Sequence, residues 1–415
     1  MKSYRILLFL AGLGLLVSCD KETDPEFADY LVATPLTMSV AEFESSVDIL
    51  PPQPLETSGK IYAYGDLIFV NEPYKGVHLI DNRNPEAPVK SGFITIPGNI
   101  DIAVRDNYLF ADSLSDLVVL DISNPDNIRP VARLKGVLQD NIPWPFEADI
   151  VEYDAWSDQG EILIGWELHT KRLRVSEAES RFPGGIDIME AAADANQATG
   201  QGGSLARFKI VGEFLYAVDS HTINVFDISD LEVPVALDDV FAGFDIETIF
   251  NRGDKLFLGS MRGMYIYDIS VPASPEFVSE FQHGTACDPV VVDGDYAFVT
   301  LRGGNGCGAT ESGLFIVDIS EITTPELIAS YPLDGPYGLG VQGELLFVCD
   351  GASGLRVFDK TDVKQLVEVA VFEDVHPFDV IPLQDHLLMI GQGQLTQYRY
   401  MDSGLELLST LALGN

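Results

Sequence analysis

Aspartates recur at one place in a repeating sequence pattern, and a cluster of such carboxylates can bind a metal ion. Each of them precedes a short apolar segment. They are Asp101, Asp149, Asp245, Asp288 and Asp379. Ca²⁺ and Mg²⁺ prefer clustered oxygen ligands, so convergence of these side chains would make a hard-cation site. In the alternative interpretation, they hydrogen-bond the backbone of neighbouring units, and Lys60 and Arg207 at the same place compensate their charge.

Other catalytic patterns are sparse in this sequence. It contains no Gly-x-Ser-x-Gly elbow, no phosphate-binding loop and no zinc-type pair of Cys or His residues. Asp219, Ser220 and His221 are triad residue types, but neighbours in a strand point to opposite faces. His283 and His376 precede apolar segments without an evident partner. We therefore predict no catalytic residue.

The three tryptophans, Trp144, Trp156 and Trp166, fall within 23 residues of one irregular stretch. Tryptophans of an ordinary core would be spread along the chain. Two interpretations are compatible with the cluster: a separate small core, or an exposed aromatic surface for a glycan or a protein.

A short phrase, apolar residues followed by Asp and a turn, is repeated six times. Its aspartates, called the repeat aspartates below, are Asp81, Asp121, Asp227, Asp268, Asp318 and Asp359. Most are separated by about 41 residues, and such a period is typical of repeat architectures. Each period contains four short segments rich in β-branched and aromatic residues, separated by turn residues. The sequence therefore predicts an all-β fold, a β-propeller of four-stranded blades.

The repeat aspartates are predicted to be structural. An Asp after a strand can accept a hydrogen bond from its own backbone two residues ahead and start a turn. Pro follows seven residues later at Pro88, Pro234, Pro275 and Pro325, where it suits the entry to an edge strand.

Seven regular units can be counted, and the number of blades depends on the irregular stretch at about 131–202. Residues 148–177 can be aligned as a degenerate eighth unit or taken as a long hairpin on a seven-bladed ring. The sequence thus predicts a propeller of seven or eight blades, and we favour eight because this segment offers three strands in the right order.

The first residues are predicted to be a targeting signal. Lys2 and Arg5 precede an apolar run too short to span a bilayer. The run ends in Leu16-Val17-Ser18-Cys19, which resembles a bacterial lipobox. This resemblance implies a signal peptide over 1–18, cleavage before Cys19 and lipidation of Cys19, followed by a tether and N-terminal segment over 19–57 and the propeller over 58–415. Residues 20–24 resemble the acidic export tag of surface lipoproteins in Bacteroidota, which implies an outer-membrane, surface-exposed location.

The net charge of −39 argues against a nucleic-acid partner and against an anionic lipid surface. It is compatible with simple solubility and also with attraction for cations or basic partners. Membrane contact is expected only through the lipid anchor, and a monomer is expected.

The cysteines allow one disulfide in the mature propeller. Cys287 opens a unit, and Cys307 lies in an enlarged loop predicted on the same face. Outside the cytoplasm, two such thiols tend to oxidise, so we predict a Cys287–Cys307 disulfide. Cys349 falls in an apolar strand and is predicted to be a buried core thiol.

The repeats resemble those of LVIVD-repeat surface lipoproteins of Bacteroidota. LVVLDIS, VFDIS, YIYDIS and FIVDIS carry the resemblance, together with longer stretches such as GQGGSLARF (200–208). It implies a cell-surface β-propeller and transfers no catalytic residue. We expect a non-enzymatic binding or scaffolding module for a protein or glycan partner. The alternative is a metal-dependent, lactonase-like hydrolase with Ca²⁺ or Mg²⁺ in an acidic channel.

Overall fold

The computed structural model describes residues 27–139, 145, 148–153, 160–175, 201–282, 289–303, 312–401 and 404–414. Strands dominate this part of the chain, as predicted, and they are numbered β1–β34 in chain order. Its α-helix, α1 (Val40–Glu44), spans five residues, and no described helix has the length and apolar character of a membrane span.

The described residues form seven sheets in which four successive strand positions pair antiparallel, and we call them blades 1 to 7. Blades 1 to 3 contain β3 (Ile61–Tyr64), β4 (Leu67–Glu72), β5 (Gly76–Asp81) and β6 (Val89–Thr95); β7 (Ile102–Arg105), β8 (Tyr108–Ser113), β9 (Asp116–Asp121) and β10 (Arg129–Leu134); and β14 (Phe208–Val211), β15 (Phe214–Val218), β16 (Thr222–Asp227) and a divided outer strand, β17 (Val235–Ala236) and β18 (Val240–Phe241).

Blades 4 to 7 follow without interruption in the order of the chain. They contain β19 (Ile246–Arg252), β20 (Lys255–Ser260), β21 (Gly263–Asp268) and β22 (Glu276–Gln282); β23 (Val290–Asp293), β24 (Tyr296–Leu301), β25 (Gly313–Asp318) and β26 (Glu326–Pro332); β27 (Leu339–Gln342), β28 (Leu345–Cys349), β29 (Leu355–Asp359) and β30 (Val367–Phe372); and β31 (Pro377–Pro382), β32 (His386–Gly391), β33 (Gln394–Met401) and β34 (Gly404–Ala412).

The first strands of successive blades contact one another around a closed ring. β7 of blade 2 contacts β14 of blade 3 directly, and β31 of blade 7 contacts β3 of blade 1. Blades 2 and 3 are therefore neighbours, and no room remains between them for another blade. The prediction that residues 148–177 form an eighth unit is wrong, and the described residues make a seven-bladed ring.

Part of the irregular stretch pairs with the N-terminal segment instead. β12 (Glu161–Arg174) runs antiparallel to β1 (Phe27–Ser39), and the two-residue strand β11 (Ile150–Val151) joins the other edge of β1. We call these three strands the accessory sheet. Its Gly165 lies against Tyr74 in the turn between β4 and β5. This turn belongs to the loop face, the end of the ring formed by the turns between second and third strands and by the connections between blades.

The segment after β1 attaches the accessory sheet to the ring. Ser39 caps α1, and its hydroxyl and the Glu42 carboxylate bond each other's backbone N–H groups in a capping box. Phe43 of α1 is buried, with the Arg133 guanidinium 4.7 Å from its ring centre. β2 (Asp48–Leu50) then pairs with β6 and extends blade 1 outward.

All six repeat aspartates start the turns that the sequence predicts. Each carboxylate accepts the backbone N–H two residues ahead, at 2.7–3.0 Å. The residue between these two donates its N–H to a backbone carbonyl oxygen in the turn between the first two strands of the same blade, at 2.7–2.8 Å. Hydrogen bonds from the side chain and backbone of the residue two positions ahead lower the pKa of all six carboxyls, that of Asp268 to about 2.

The residue after each repeat aspartate is buried between blades. It is Ile in four blades, at Ile122, Ile228, Ile269 and Ile319. In the other two, the polar residue has a matching partner on the preceding blade. Asn82 exchanges two hydrogen bonds with Gln397, at 2.7 and 3.1 Å, and Lys360 pairs with Asp293 at 2.6 Å. The buried polar side chains at these two blade interfaces are therefore hydrogen-bonded or paired.

Replacing Asp227 or Asp318 by Asn is expected to reduce the sensitivity of the fold to acid. A carboxyl whose pKa is lowered by folding stabilises the folded state above its unfolded pKa, about 3.9, and loses this contribution as the pH falls further. Asn keeps an oxygen acceptor for the turn but cannot titrate. Thermal unfolding at pH 7, 4 and 2.5 should therefore show a smaller loss of Tm below pH 4 in Asp227→Asn and Asp318→Asn.

The Ala variants at the same positions lack the acceptor and should already be less stable at pH 7. An equal acid-induced loss of Tm in wild type and both Asn variants would contradict this account of the turns.

Candidate functional site

The central channel of the ring contains a segment of the chain itself. Residues 201–207, the channel segment, begin with β13 (Gln201–Gly202), which pairs with the inner edge of β3. The segment then continues into β14, the first strand of blade 3. The first strands line the channel of a propeller, so a strand added to the inner edge of β3 occupies the channel.

Hydrogen bonds connect the channel segment to five other blades. Gly203 N donates to Ile61 O of blade 1 at 3.1 Å, and Ser204 N and Oγ donate to Asp379 Oδ1 of blade 7 at 3.0 Å each. Ser204 Oγ also accepts from Leu339 N of blade 6 at 2.7 Å, and Ala206 O accepts from Ile249 N of blade 4 at 3.4 Å. Arg207 N donates to Asp101 Oδ2 of blade 2. One short stretch thus cross-links most of the ring from inside.

The close approach depends on missing side chains. A Cβ added to Gly203 would lie 1.8 Å from Asp379 Oδ2, and a Cβ added to Gly338 would lie 2.2 Å from Asp379 Oδ1. Only glycine leaves room for this carboxylate between the channel segment and blade 6. The run Gly202-Gly203-Ser204 before the first strand of blade 3 is the sequence signal for this contact, which was not predicted.

The two channel carboxylates, Asp101 and Asp379, serve as acceptors for backbone groups. Asp101 accepts the N–H of Ile102 at 2.7 Å and that of Arg207, and its Oδ2 lies 3.3 Å from Lys60 Nζ. Asp379 Oδ1 accepts the N–H of Val380 at 2.9 Å as well as both groups of Ser204. Both side chains are buried. At these two positions, the geometry is that of internal cross-links, with the Lys60 cation beside Asp101.

Asp112 extends the buried charges around Asp101. Its Oδ1 accepts hydrogen bonds from Asn99 Nδ2 and from the N–H groups of Ile100 and Asp101, at 2.7–2.9 Å. Burial raises the pKa of Asp112 to about 6, and burial lowers the pKa of Lys60. Because two acids and two bases, with Arg207 as the second base, meet here, the local charge is compensated.

Two of the remaining predicted ligands, Asp149 and Asp245, do not join these two carboxylates. Asp149 lies beside the accessory sheet, where it accepts the N–H of Leu31 at 2.7 Å, so its assignment to a first strand of a blade is wrong. Asp245 precedes β19 as predicted, but its carboxylate pairs with Arg262 Nε at 2.9 Å. Asp288 lies outside the described residues. Within the described ranges, no three His, Cys, Asp or Glu side chains are arranged to hold a metal ion.

Of the tryptophans and cysteines singled out in the sequence, the structure describes Trp166 and Cys349. Trp166 is half-buried on β12 opposite Pro35, with its ring centre 6.2 Å from that of Tyr153. Trp144 and Trp156 lie outside the described residues, as do Cys19, Cys287 and Cys307. Cys349 is fully buried in blade 6, as predicted, and burial raises the pKa of its thiol well above the ordinary value.

The histidines that the sequence analysis considered are held by structural contacts. Asp219 binds the backbone N–H groups of His221 and Thr222 at 2.8 and 2.9 Å, so its carboxylate serves a turn. The Nδ1 atom of His376 lies 2.9 Å from the side-chain amide of Gln392. His283 lies outside the described residues.

Comparison with protein families gives one match. The family described as LVIVD repeat matches residues 99–131 and 283–332, which hold the repeat aspartates Asp121 and Asp318. LVIVD repeats are present in this chain. A search of curated proteins finds no match.

Solved structures similar to this chain share its fold at very low identity. A protein from Lactobacillus plantarum is 13% identical, with 85% of this chain and 96% of that chain covered and a TM-score of 0.52. The periplasmic gluconolactonase PpgL from Pseudomonas aeruginosa is 10% identical, with coverage of 88% and 97% and a TM-score of 0.50. A functionally unknown protein from Desulfotomaculum acetoxidans is 11% identical, with coverage of 84% and 95% and a TM-score of 0.50. Together they support a propeller fold for the LVIVD repeats and no particular activity.

Substituting Ala for Gly203 should destabilise the ring because the new Cβ would overlap the Asp379 carboxylate. We expect a loss of about 1–3 kcal/mol or more in the free energy of unfolding, and a similar loss for Gly338→Ala. Gly335→Ala is the matched control, since a Cβ there meets no atom within 4 Å. Urea and thermal unfolding of the three variants measure the difference. A Gly203→Ala variant as stable as Gly335→Ala would contradict the position of the channel segment.

Proposed function

We propose that this protein is a non-enzymatic binding or scaffolding module, anchored at the cell envelope through a lipid on Cys19, for a protein or glycan partner. The observation that carries the proposal is the use of the channel by the chain itself. Residues 201–207 occupy it, and the carboxylates of Asp101 and Asp379 are engaged by backbone N–H groups of the same molecule.

The small space beside Asp101 supports this view. A cavity between blades 2 and 3, lined by Asp101, Asp112 and Arg207 among others, has a volume of about 20 Å³. This volume suits a single water molecule, whereas small-molecule sites are usually on the order of 300 Å³ or larger. Binding on an outer surface therefore fits the molecule better than capture of a substrate inside the channel.

The accessory sheet is suited to connect an anchored N-terminus to the ring. β1 begins at Phe27, eight residues after Cys19, and pairs with β12 along its full length of 13 residues. Thirteen strand residues span about 40 Å. A paired strand of this length holds the ring away from the anchor more rigidly than a disordered tether. We place the protein at the outer membrane, exposed on the cell surface, on the basis of the lipobox-like and acidic N-terminal sequences.

The competing function, a metal-dependent hydrolase, would require Asp101, Asp245 and Asp379 to act on one ion together with Asp288. In the structure, Asp245 pairs with Arg262, while the other two described carboxylates bind the channel segment. No contact among the described residues favours this function, and we do not adopt it.

Removing divalent cations should leave the stability of the ring unchanged, because both channel carboxylates already accept hydrogen bonds from backbone N–H groups. We expect the Tm of the purified protein after EDTA treatment to match that of untreated protein and of protein given Ca²⁺ or Mg²⁺. Metal analysis of the untreated protein should find less than one equivalent. A stoichiometric metal together with a Tm lowered by chelator would contradict the assignment of the channel carboxylates as internal cross-links and favour a cation site.

Changing Cys19 to Ala should release the protein from membranes without altering its Tm, since the anchor precedes the folded ring. Incorporation of labelled palmitate and fractionation of cells into soluble and membrane parts would measure this. Cys349→Ala, which changes a buried thiol of blade 6, is the control and should retain the label. Membrane association of Cys19→Ala equal to that of wild type would contradict the anchor.

A further inference from the structure

Two neighbouring phenylalanines form an exposed aromatic patch where blades 3 and 4 meet. The side chain of Phe241 is 63% exposed and that of Phe244 is 50% exposed. Their ring centres lie 5.5 Å apart, and His221 lies 5.5 Å from Phe244 on another side. The Arg262 guanidinium lies 5.8 Å from the Phe244 ring centre. We call these four residues the Phe241–Phe244 patch.

The backbone fixes the patch in its exposed position. Ala242 N donates to His221 O at 2.7 Å, and Met261 N donates to Asp245 O at 3.0 Å, so the connection is tied to both blades. Gly243 has a φ of 135°, and a Cβ at this position would lie 2.8 Å from the Tyr265 ring. Phe244 therefore stands between two fixed turns of the loop face and cannot fold into the core without breaking these contacts.

The divided outer strand of blade 3 creates this surface. β17 and β18 contain two residues each, whereas the outer strands β6, β22 and β26 contain seven. Residues 237–239 separate the two short strands, and Asp238 and Asp239 are exposed there, close in sequence to Phe241. Two exposed acidic residues therefore come two and three positions before Phe241 in the chain.

The charge around the patch selects the kind of partner that fits it. Arg262, the cation of the patch, is neutralised by Asp245 at 2.9 Å. Asp238 and Asp239 remain exposed, and the whole chain carries a net charge of −39. A positively charged segment would be attracted to this region, whereas an anionic membrane would be repelled.

The ring geometry favours a protein over a glycan. The Phe241 and Phe244 rings meet at an interplanar angle of 78°, so they do not form a flat platform. Such an edge-to-face pair instead presents a corner into which one apolar side chain can pack, and aromatic residues of this kind are typical of interface hot spots.

We propose that the Phe241–Phe244 patch binds a basic segment of a partner protein. An apolar side chain of that segment packs against Phe241 and Phe244, while its Lys or Arg residues face Asp238 and Asp239. This inference rests on the proposed binding function and names its surface and the chemistry of its partner.

Binding can be tested with three fluorescein-labelled 12-residue peptides on the purified full chain in a non-ionic detergent. One peptide combines Lys, Leu and Ser; the second has Gly in place of Leu; the third has Glu in place of Lys. Fluorescence anisotropy at low and moderate salt gives the dissociation constants. We expect the Lys and Leu peptide to bind at least tenfold more tightly than either of the others.

Phe241→Ser and Phe244→Ser should each weaken binding of the Lys and Leu peptide about tenfold, with an unchanged Tm because both rings are exposed. Phe277→Ser is the matched control, since Phe277 is 56% exposed on the outer strand of blade 4 and outside the patch. Equal affinity in wild type and all three variants would overturn the inference, because the attraction would then reflect overall charge alone.

A glycan array probed with wild type and the same variants tests whether the patch binds a glycan instead of a protein. Glycan binding that is lost in Phe241→Ser and Phe244→Ser would overturn the assignment of a basic protein segment but would leave the binding function intact. The competing metal-dependent function is tested separately by the chelator and metal measurements, so the two failures are distinguishable.

Discussion

The ring depends on hydrogen bonds that two buried carboxylates accept inside its channel. Asp379 accepts the N–H and hydroxyl of Ser204, and Asp101 accepts the N–H of Arg207. Because backbone groups of blades 1, 4 and 6 also bond the channel segment, in addition to Asp101 of blade 2 and Asp379 of blade 7, the segment cross-links most of the ring. Removing either acceptor would leave a buried N–H without a partner, which costs more than the net value of an ordinary hydrogen bond.

A second constraint lies at the seam where the two ends of the ring meet. Blade 7 and blade 1 are distant in sequence, so side chains and short backbone contacts must specify their pairing. Asn82 and Gln397 exchange two hydrogen bonds at the place where four other blades bury Ile, and Leu55 N donates to Leu413 O at 2.9 Å. Ile would pack against many surfaces, whereas a buried amide pair is satisfied by one arrangement. The seam therefore gains specificity from polar groups.

Local chemistry made part of the structure predictable from sequence. The turn at each repeat aspartate needs only an Asp and a backbone N–H two residues ahead, and the buried strand around Cys349 is visible from its apolar run. The irregular stretch favours an eighth blade in the sequence because it offers three strands in the right order. Its true partner, β1, lies more than 120 residues away, and nothing in the local pattern specifies that pairing. The positions of Asp101 and Asp379 were predictable, but their partners in the channel segment were not, for the same reason.

The regular repeats form the ring, whereas the features that distinguish this propeller from another lie where the chain departs from the repeat. The turns at the repeat aspartates use their carboxylates internally, and the channel carboxylates do the same, so the charges available to a partner lie on the outer surface. Departures from the repeat create the unusual surfaces. One long connection supplies both β12 of the accessory sheet and the channel segment, and the division of one outer strand exposes Phe241 beside Asp238 and Asp239. Because the seven-bladed ring carries these changes without losing its internal bonds, its surface can vary while the frame is retained.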